Sequence, residues 1–350
     1  MVRAVARLRG IPLQVAGTVS TRWLGQLVVL AIALALVGTG LLASIGLGAV
    51  SLGPAQVIQA LLDRSTVIPR QIVWNLRVPR ALVGALVGMN LGVSGVLLQG
   101  IMRNSLASPT IIGVTAGAGL AATVVMLMVP GLPTFLPLAA FAGAMGAAVL
   151  VYLLSWQPGV GTSPVRMVLA GVAITSMLTA FTTFLMVTFS DRVQPVVLWM
   201  AGNLIGRSWG HLRLIWPYSV GGLAIAFLLI RQLNVLQLGD ETAQGLGVRI
   251  ELARLLAMAA ASFLAASAVS VAGLVGFIGL MVPHTMRLLG GYNHAYLIPA
   301  AAIGGAALMM WADLGARMLL APAELPVGII TAVMGGPYFV YLLYRTRLLR

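Results

Sequence analysis

The sequence predicts an all-α polytopic membrane protein. Hydrophobic residues fill 60% of its 350 positions and charged residues only 8%, whereas roughly 25% of the residues in soluble domains are charged. Charge-free intervals that can hold an apolar helix of about 20 residues occur along the whole chain. This composition excludes an ordinary soluble fold, and the positions of the charges indicate where each helix crosses the bilayer.

The charge-free intervals predict a ten-helix transmembrane domain over residues 23–350, preceded by a cytoplasmic N-terminal segment over residues 1–22. Helix-breaking residues divide two of the longest intervals, with Pro130 and Pro133 in one and Gly273 in the other. The interval Val193–Gly206 is too short to cross and predicts a re-entrant or interfacial helix. The ten predicted spans are Trp23–Gly48, Ala81–Met102, two within Asn104–Val165, Met167–Ser190, Leu214–Ile230, two within Leu255–Met286, Leu288–Ala312 and Leu325–Tyr344.

The basic residues, which number 21, are all arginine, and their positions predict the orientation of the chain. An even number of spans puts both termini on one side, and the positive-inside rule makes that arginine-bearing side cytoplasmic. We therefore expect a multi-pass protein of the cell inner membrane with both termini in the cytoplasm. By this topology 13 arginines lie inside and 8 outside, so the outer arginines at helix ends need another explanation.

Several classes of activity lack the residues that they need. The chain has no Cys and no Lys, which excludes disulfides, thiolate metal sites, a Walker A phosphate loop and Schiff-base chemistry. No paired carboxylates, metal-spaced histidines or nucleophile motif are present, so we expect no catalytic residues and no metal ligands. His284, which follows Pro283, is expected to be a satisfied polar contact at a helix kink.

Acidic residues are missing from the middle of every predicted span. Ion-coupled transporters place such residues there to carry protons or to coordinate Na⁺, so this class is disfavoured. An ion-coupled secondary transporter and an intramembrane enzyme stay as alternative functions.

The cytoplasmic loop at about residues 236–248 differs from the other connections because it contains a short helical pattern. Asp240 is suited to cap the N-terminus of this helix, and Gly247 is suited to end it. A helix of fewer than ten residues is marginal by itself. We therefore expect a soluble partner subunit to bind this loop helix.

The sequence resembles the FecCD-type permeases, which are the membrane subunits of ABC importers for iron siderophores, haem and cobalamin. The resemblance runs from about residue 70 to the C-terminus, and its one visible departure is Ser105, where the family usually has Pro. Its motifs are, in order, Arg77–Arg80, Ser94–Gly95 with Gln99, Arg103–Pro109, Gly239–Glu241 with Leu246–Gly247, Gly276–Leu280 with Pro283–His284, Ala312–Asp313 with Ala316–Arg317, and Glu324–Gly328.

The resemblance implies a type II ABC importer permease fold and a set of partners. These partners are a second permease subunit (an identical copy or a similar paralogue), two cytoplasmic ATPase subunits that bind ATP and Mg, a periplasmic substrate-binding protein and the lipid bilayer. Nucleic acid is not among them, and no cofactor is expected in this chain. The expected substrate is an iron(III)-siderophore complex, with haem or cobalamin as the alternatives.

The resemblance also implies roles for particular residues. Three groups are expected, for ATPase coupling, for a cytoplasmic gate and for docking of the binding protein. The coupling residues are Leu238, Gly239, Asp240, Glu241, Ala243, Leu246 and Gly247; the gate residues are Asn104, Leu106, Thr162 and Ser163; the docking residues are Arg77, Arg80 and Arg317.

Overall fold

The structure is a computed structural model that describes residues 13–48, 53–62, 70–159 and 161–348. Within these ranges the chain is mainly helical, with one short β-hairpin and with a π-helix, Gln71–Arg77, that runs directly into α3. The elements are α1 (Leu13–Gly46), α2 (Pro54–Leu62), α3 (Val78–Met102), α4 (Val114–Met128), α5 (Leu136–Ser155), β1 (Trp156–Gln157), β2 (Gly161–Thr162), α6 (Pro164–Thr188), α7 (Gln194–Met200), α8 (Trp209–Leu228), α9 (Ile230–Leu236), α10 (Asp240–Gly245), α11 (Ile250–Ala272), α12 (Ile278–Gly290), α13 (His294–Met318) and α14 (Val327–Leu348).

Each predicted span falls on a described helix, which confirms the all-α membrane fold. In the part of the chain that the structure describes, seven helices are long and apolar enough to cross a membrane: α1 from Trp23, the π-helix together with α3, α5, α6, α8, α11 and α13. The apolar parts of α4 and α14 are shorter, and α12 has only 13 residues. Since a full crossing needs about 20 residues, the exact count of ten crossings stays a prediction.

Three helices form the centre of the bundle, and the others surround them. In α3 and α11, 78% of the residues of the most apolar stretch are buried, and in α13 the share is 67%. The corresponding share is only 17% in α6 and 22% in α1 and in α8. The outer helices therefore present most of their side chains to lipid or to another protein.

Glycines let α3 approach its neighbours backbone to backbone. A Cβ atom on Gly88 would collide with the carbonyl oxygen of Gly305 in α13, and one on Gly95 would collide with that of Gly279 in α12. Gly117 and Gly143 make the same kind of contact between α4 and α5. Lipid gives helices no hydrophobic drive to associate, so close backbone packing is what holds such a bundle together.

The predicted break at Gly273 is confirmed. The segment Val193–Gly206, which is too short to cross the membrane, contacts the chain at this break. α11 ends at Ala272, and Gly273 has a φ of +71°, which an L side chain rarely adopts. The seven-residue helix α7 precedes Asn203, whose backbone N–H donates to the carbonyl oxygen of Ala272 at 2.7 Å. This segment therefore packs into the gap between α11 and α12.

The first helix is longer than the predicted first span. α1 begins at Leu13, so part of the N-terminal segment predicted over residues 1–22 is helical, and residues 1–12 lie outside the described part of the chain. The helix continues to Gly46, where its last carbonyl groups accept hydrogen bonds from arginines of the π-helix and of α13.

Candidate functional site

Arg254 connects the predicted coupling loop to the hairpin that precedes α6. It lies one turn into α11, and its side chain is only 4% exposed. The Nη2 atom donates to both carboxylate oxygens of Asp240 at 3.0 and 2.8 Å, and Nη1 donates to the carbonyl oxygen of Thr162 at 2.8 Å. One buried guanidinium therefore holds the first residue of α10 and the last residue of β2.

Glu251 binds the same hairpin from one turn earlier in α11. Its Oε2 atom accepts hydrogen bonds from the backbone N–H of Thr162 at 2.9 Å and from the Thr162 hydroxyl at 3.0 Å. Arg166 of α6 donates to the carbonyl oxygen of Gly161 at 2.9 Å and also binds Gln157 of β1. Thr162, one of the predicted gate residues, is thus a buried and firmly bonded end of the hairpin.

The loop after α3, which holds the predicted gate residues Asn104 and Leu106, also reaches the carboxylate of Asp240. Arg103 ends α3 in the left-handed region with a φ of +47°, and its guanidinium lies 3.5 Å from Asp240. Asn104 accepts a hydrogen bond from the backbone N–H of Leu106 at 2.9 Å, which closes a tight turn. Ser163 occupies the N-cap position of α6 without a capping side-chain hydrogen bond.

Both loops therefore meet at Asp240, directly through Arg103 and indirectly through Arg254. We call Arg254, Asp240, Glu251, Thr162 and Arg103 the Arg254 cluster.

The loop helix exists, but its N-terminus is built differently from the prediction. α10 runs from Asp240 to Gly245, and Gly239, with a φ of +105°, precedes it. Asp240 was predicted to cap the helix, and this is wrong, because its carboxylate accepts from Arg254 instead. At the other end the Gly247 prediction is confirmed: its φ is +78°, and the hydrogen bonds Gly247 N–H to Gln244 and Val248 N–H to Ala243 form a Schellman motif.

α10 buries one face and exposes the other. Ala243 is fully buried, whereas Glu241 is exposed. The flanking side chains of Leu238 and Leu246 are 63% and 56% exposed. Two exposed leucines on either side of a six-residue helix give this end of the chain a small apolar surface with nothing packed on it within the described residues.

A second cluster of charges lies at the opposite end of α3, about 35 Å away at 1.5 Å of rise per residue. Arg80 donates to both carboxylate oxygens of Asp313 at 2.9 to 3.2 Å and to Glu324 at 2.7 Å. The side chains of Arg80 and Asp313 are 11% and 5% exposed. This ion pair ties the start of α3 to the end of α13.

Two further arginines at this end hold the C-terminus of α1. Arg77 donates to the carbonyl oxygens of Ile45 and Gly46 at 2.7 and 2.9 Å. Arg317 donates to the carbonyl oxygens of Ser44 and Leu47 at 3.1 and 2.7 Å. Cations are favourable at a helix C-terminus, where the last carbonyl groups have no partner within the helix.

We call Arg77, Arg80, Asp313, Arg317 and Glu324 the Arg80 cluster. The three arginines predicted to dock a binding protein are thus brought together, but each is at most 9% exposed and has a role inside the chain. Docking of a binding protein by these residues stays a prediction.

Arg207, in the loop before α8, extends the positive charge of this end. Its guanidinium approaches the Nε2 atom of His211 at 3.2 Å. Burial, with a smaller contribution from the charge of Arg80, lowers the pKa of Arg207 from its ordinary value. Positive charge at this end is therefore only partly offset by the two carboxylates of the Arg80 cluster.

Sequence reasoning missed Arg254 and Glu251, the residues that organise the Arg254 cluster. The available signal was a charged residue one turn inside an otherwise apolar helix, 14 positions after Asp240. It missed the pairing of Arg80 with Asp313 for a different reason, since partners 233 positions apart cannot be matched from one sequence. Within the described residues no group of three or more His, Asp or Glu side chains is placed to hold a metal ion.

Comparisons with known proteins match this architecture. A solved structure of an inward-facing metal-chelate-type ABC transporter superposes with a TM-score of 0.81 at 30% identity, covering 90% of this chain and 98% of that one. The iron(3+)-hydroxamate import system permease protein FhuB of Bacillus subtilis is 39% identical over 94% of this chain and 86% of its own length. The hemin transport system permease protein HmuU of Yersinia pestis is also 39% identical, over 93% and 96% of the two chains.

The fold and these relatives define a multi-pass membrane protein that serves as the permease subunit of an ABC importer and is not an enzyme. The sequence profile of the FecCD transport family matches residues 21–345, so the chain belongs to that family.

Proposed function

We propose that the chain carries an iron(III)-siderophore complex across the cell inner membrane and that the Arg254 cluster couples ATP hydrolysis to the opening of its gate. The observation that carries this proposal is the double contact of Arg254, which holds Asp240 of α10 and Thr162 of the hairpin at 2.8 Å each. α10 would sit in a cytoplasmic ATPase subunit, with Leu238 and Leu246 buried in the contact.

The cluster can transmit movement because its links are short and its parts are separate. α10 is a six-residue helix joined to the bundle by glycines at both ends, so it can shift as a unit. A charge-assisted hydrogen bond costs about 1.5–3 kcal/mol to break. A joint movement of Arg254 and Asp240 avoids this cost, so the two would move together. Displacement of α10 by the ATPase would then pull on Thr162, which starts the segment leading into α6.

α6 would line the pathway together with a second permease subunit. Most of its surface is exposed, including Phe181 at 53% and Phe184 at 63%. α6 also exposes the hydroxyl residues Ser176, Thr179 and Thr183. They are three and four positions apart, which puts them on one face of the helix. A hydroxyl stripe without fixed charge suits a bulky chelate that hides its metal, because the pathway need only open around it.

The substrate class rests on a balance of resemblances. The relatives at equal identity include one whose name gives iron(3+)-hydroxamate and one whose name gives hemin. We favour a ferric siderophore because the segment Asn104–Pro109 resembles siderophore permeases more closely than cobalamin permeases. Haem is the alternative that the same relatives keep open.

The orientation follows from the same assignment. The α10 end would face the cytoplasm and two ATPase subunits that bind ATP and Mg, and the Arg80 cluster would face the periplasm and a substrate-binding protein. Both termini would then be cytoplasmic, as the arginine distribution predicts.

Uptake into proteoliposomes tests this function. The chain, its cognate ATPase and its binding protein should accumulate a ⁵⁵Fe-labelled siderophore only when ATP is present, and should accumulate haem and cobalamin much more slowly. Accumulation of substrate by the chain alone under a proton or Na⁺ gradient would show an ion-coupled transporter instead. Faster uptake of haem than of every ferric siderophore tested would identify haem as the substrate instead.

A further inference from the structure

A basic cavity and an apolar groove meet at Tyr292, just beyond the C-terminal end of α12. The cavity has a volume of about 420 Å³, and its lining includes Arg103, Arg287, Gln99 and His284. The groove has a volume of about 510 Å³. Its lining includes Trp23, Leu27 and Leu30 of α1 together with Tyr292 and Tyr296. Tyr292 lines both, so the two spaces adjoin at this side chain.

The cavity has an excess of positive charge. No carboxylate belongs to its lining. Arg287 donates to the neutral Oε1 of Gln99 at 2.6 Å and lies 5.7 Å from the centroid of the Tyr292 ring, and within the described residues it forms no ion pair. Arg103 lies 3.5 Å from Asp240, a carboxylate that already accepts from Arg254 at 2.8 Å.

His284 lines this cavity, but its Nδ1 atom is closed off from it. Its Nδ1 atom is buried and has no hydrogen-bond partner among the described residues, so the predicted satisfied contact at Pro283 is wrong. Arg103 and Arg287 line the cavity without a carboxylate beside them in the lining. The cavity therefore fits a ligand group with negative charge and several acceptor oxygens.

The groove is apolar and lies on the outside of the bundle. Trp23 and Leu27 are 62% and 59% exposed on α1, and Tyr292 is 64% exposed. The side chain of Gln26 donates to the carbonyl oxygen of Gly290 at 2.7 Å, which fixes α1 against the end of α12. An exposed channel on an outer membrane helix fits an acyl chain, and tryptophan at its end is typical of the membrane interface.

We propose that this paired site binds one anionic phospholipid, with its phosphate in the cavity between Arg287 and Arg103 and an acyl chain in the groove. Basic pockets between membrane helices bind anionic head groups by charge and hydrogen bonding together. An inorganic phosphate could satisfy the cavity alone, but it would leave the groove empty. A phospholipid joins a head group to acyl chains, so one molecule can occupy both of the spaces that adjoin at Tyr292.

The test is lipid binding to the purified full-length chain in detergent, at low ionic strength. Phosphatidylglycerol should be retained in native mass spectra and should raise the thermal midpoint, whereas phosphatidylcholine at the same mole fraction should do neither. Arg287→Gln should weaken phosphatidylglycerol binding about tenfold, since it removes one charge-assisted contact. Arg192→Gln, at an exposed arginine outside the cavity, is the matched control and should bind as the wild type does.

A second pair of variants tests the groove without touching Arg287. Leu27→Glu places a negative charge in the groove and should weaken phosphatidylglycerol binding, whereas Val28→Glu, at a position that is equally exposed but outside the lining, should not. Equal retention of the two lipids, or unchanged affinity in both Arg287→Gln and Leu27→Glu, would overturn the proposal. Stabilisation by inorganic phosphate that matches phosphatidylglycerol would also overturn it, by assigning the cavity to a soluble anion.

Discussion

The two ends of α3 each carry a cluster of arginines and carboxylates, but the clusters differ in how deeply their members are buried. In the Arg80 cluster both members of the central pair, Arg80 and Asp313, are buried, and the other arginines hold backbone carbonyls of α1. In the Arg254 cluster the arginine is 4% exposed while its partner Asp240 is 39% exposed on a six-residue helix. The first arrangement connects helices of the bundle to one another, and the second connects α11 to a short loop helix and to the hairpin.

Burial decides how each cluster responds to the loss of one partner. Removing one member of a fully buried ion pair leaves a desolvated charge and costs about 3–5 kcal/mol. Removing a member whose partner reaches water costs less, because the partner is resolvated. The Arg80 cluster should therefore control stability, and the Arg254 cluster should control transport, and the following variants separate these two roles.

Asp313→Asn should have the largest effect on stability. It leaves Arg80 buried beside a neutral amide, with only Glu324 as a carboxylate partner, and we expect a loss of about 3–5 kcal/mol in the free energy of unfolding. The amount of folded protein extracted from membranes and its denaturation midpoint measure the loss. Glu324→Gln is the matched control, and it should cost clearly less because that side chain is 28% exposed. Equal losses in the two variants would show that burial does not set the strength of this cluster.

Arg254→Gln should lower stability by a smaller amount, about 1.5–3 kcal/mol, because it breaks hydrogen bonds to Asp240 and Thr162. Its main effect should be on transport. We expect ATP-driven uptake to fall about tenfold or more while the ATPase still co-purifies with the chain. Arg249→Gln changes an exposed arginine of the same loop and should transport normally. Normal uptake in a folded Arg254→Gln variant would contradict the coupling role.

Arg317→Gln should cost about 1–3 kcal/mol, because it removes donors to the carbonyl groups of Ser44 and Leu47 at the end of α1. Proteolysis or hydrogen exchange at the C-terminus of α1 should report the loosening directly. Binding-protein affinity at low ionic strength measures the separate docking prediction, in which Arg77→Gln and Arg317→Gln should both bind less tightly. An affinity unchanged in both would limit these arginines to holding α1.

Leu238→Ser combined with Leu246→Ser should have the smallest effect on stability, within about 0.5 kcal/mol, since both side chains are already exposed. Association with the ATPase should nevertheless weaken about tenfold or more, because burial of two leucines is lost from the contact. Leu319→Ser with Leu320→Ser changes two equally exposed leucines near the Arg80 cluster and should leave ATPase association unchanged. Weakened association in both double variants would point to general damage.

The fold could be predicted from the sequence because charged residues are costly inside a bilayer, so the charge-free intervals mark the membrane helices. Proline and glycine breaks such as Gly273 were also readable, since they act through local backbone geometry. The partners within the clusters could not be matched from the sequence, because Arg80 and Asp313 lie 233 positions apart and meet only in the folded chain. Asp240 shows the same limit at short range, where a tertiary partner, Arg254, competed successfully for a carboxylate that local rules assign to a helix cap.

The distance between α10 and the β1–β2 hairpin during ATP binding tests the proposed coupling role of Arg254 most directly. The chain has no native Cys, so Pro158→Cys and Gln244→Cys can carry a spin-label pair without background from the chain itself. In the complex with the ATPase, the distance between these two labels should stay narrow and constant when ATP binds. The distance from Gln244→Cys to a label near Leu319 should change, and in Arg254→Gln the first distance should broaden as the hairpin loses its link to α10. A 158-to-244 distance that changes freely in the wild type, or that is unaffected by Arg254→Gln, would contradict transmission through Arg254.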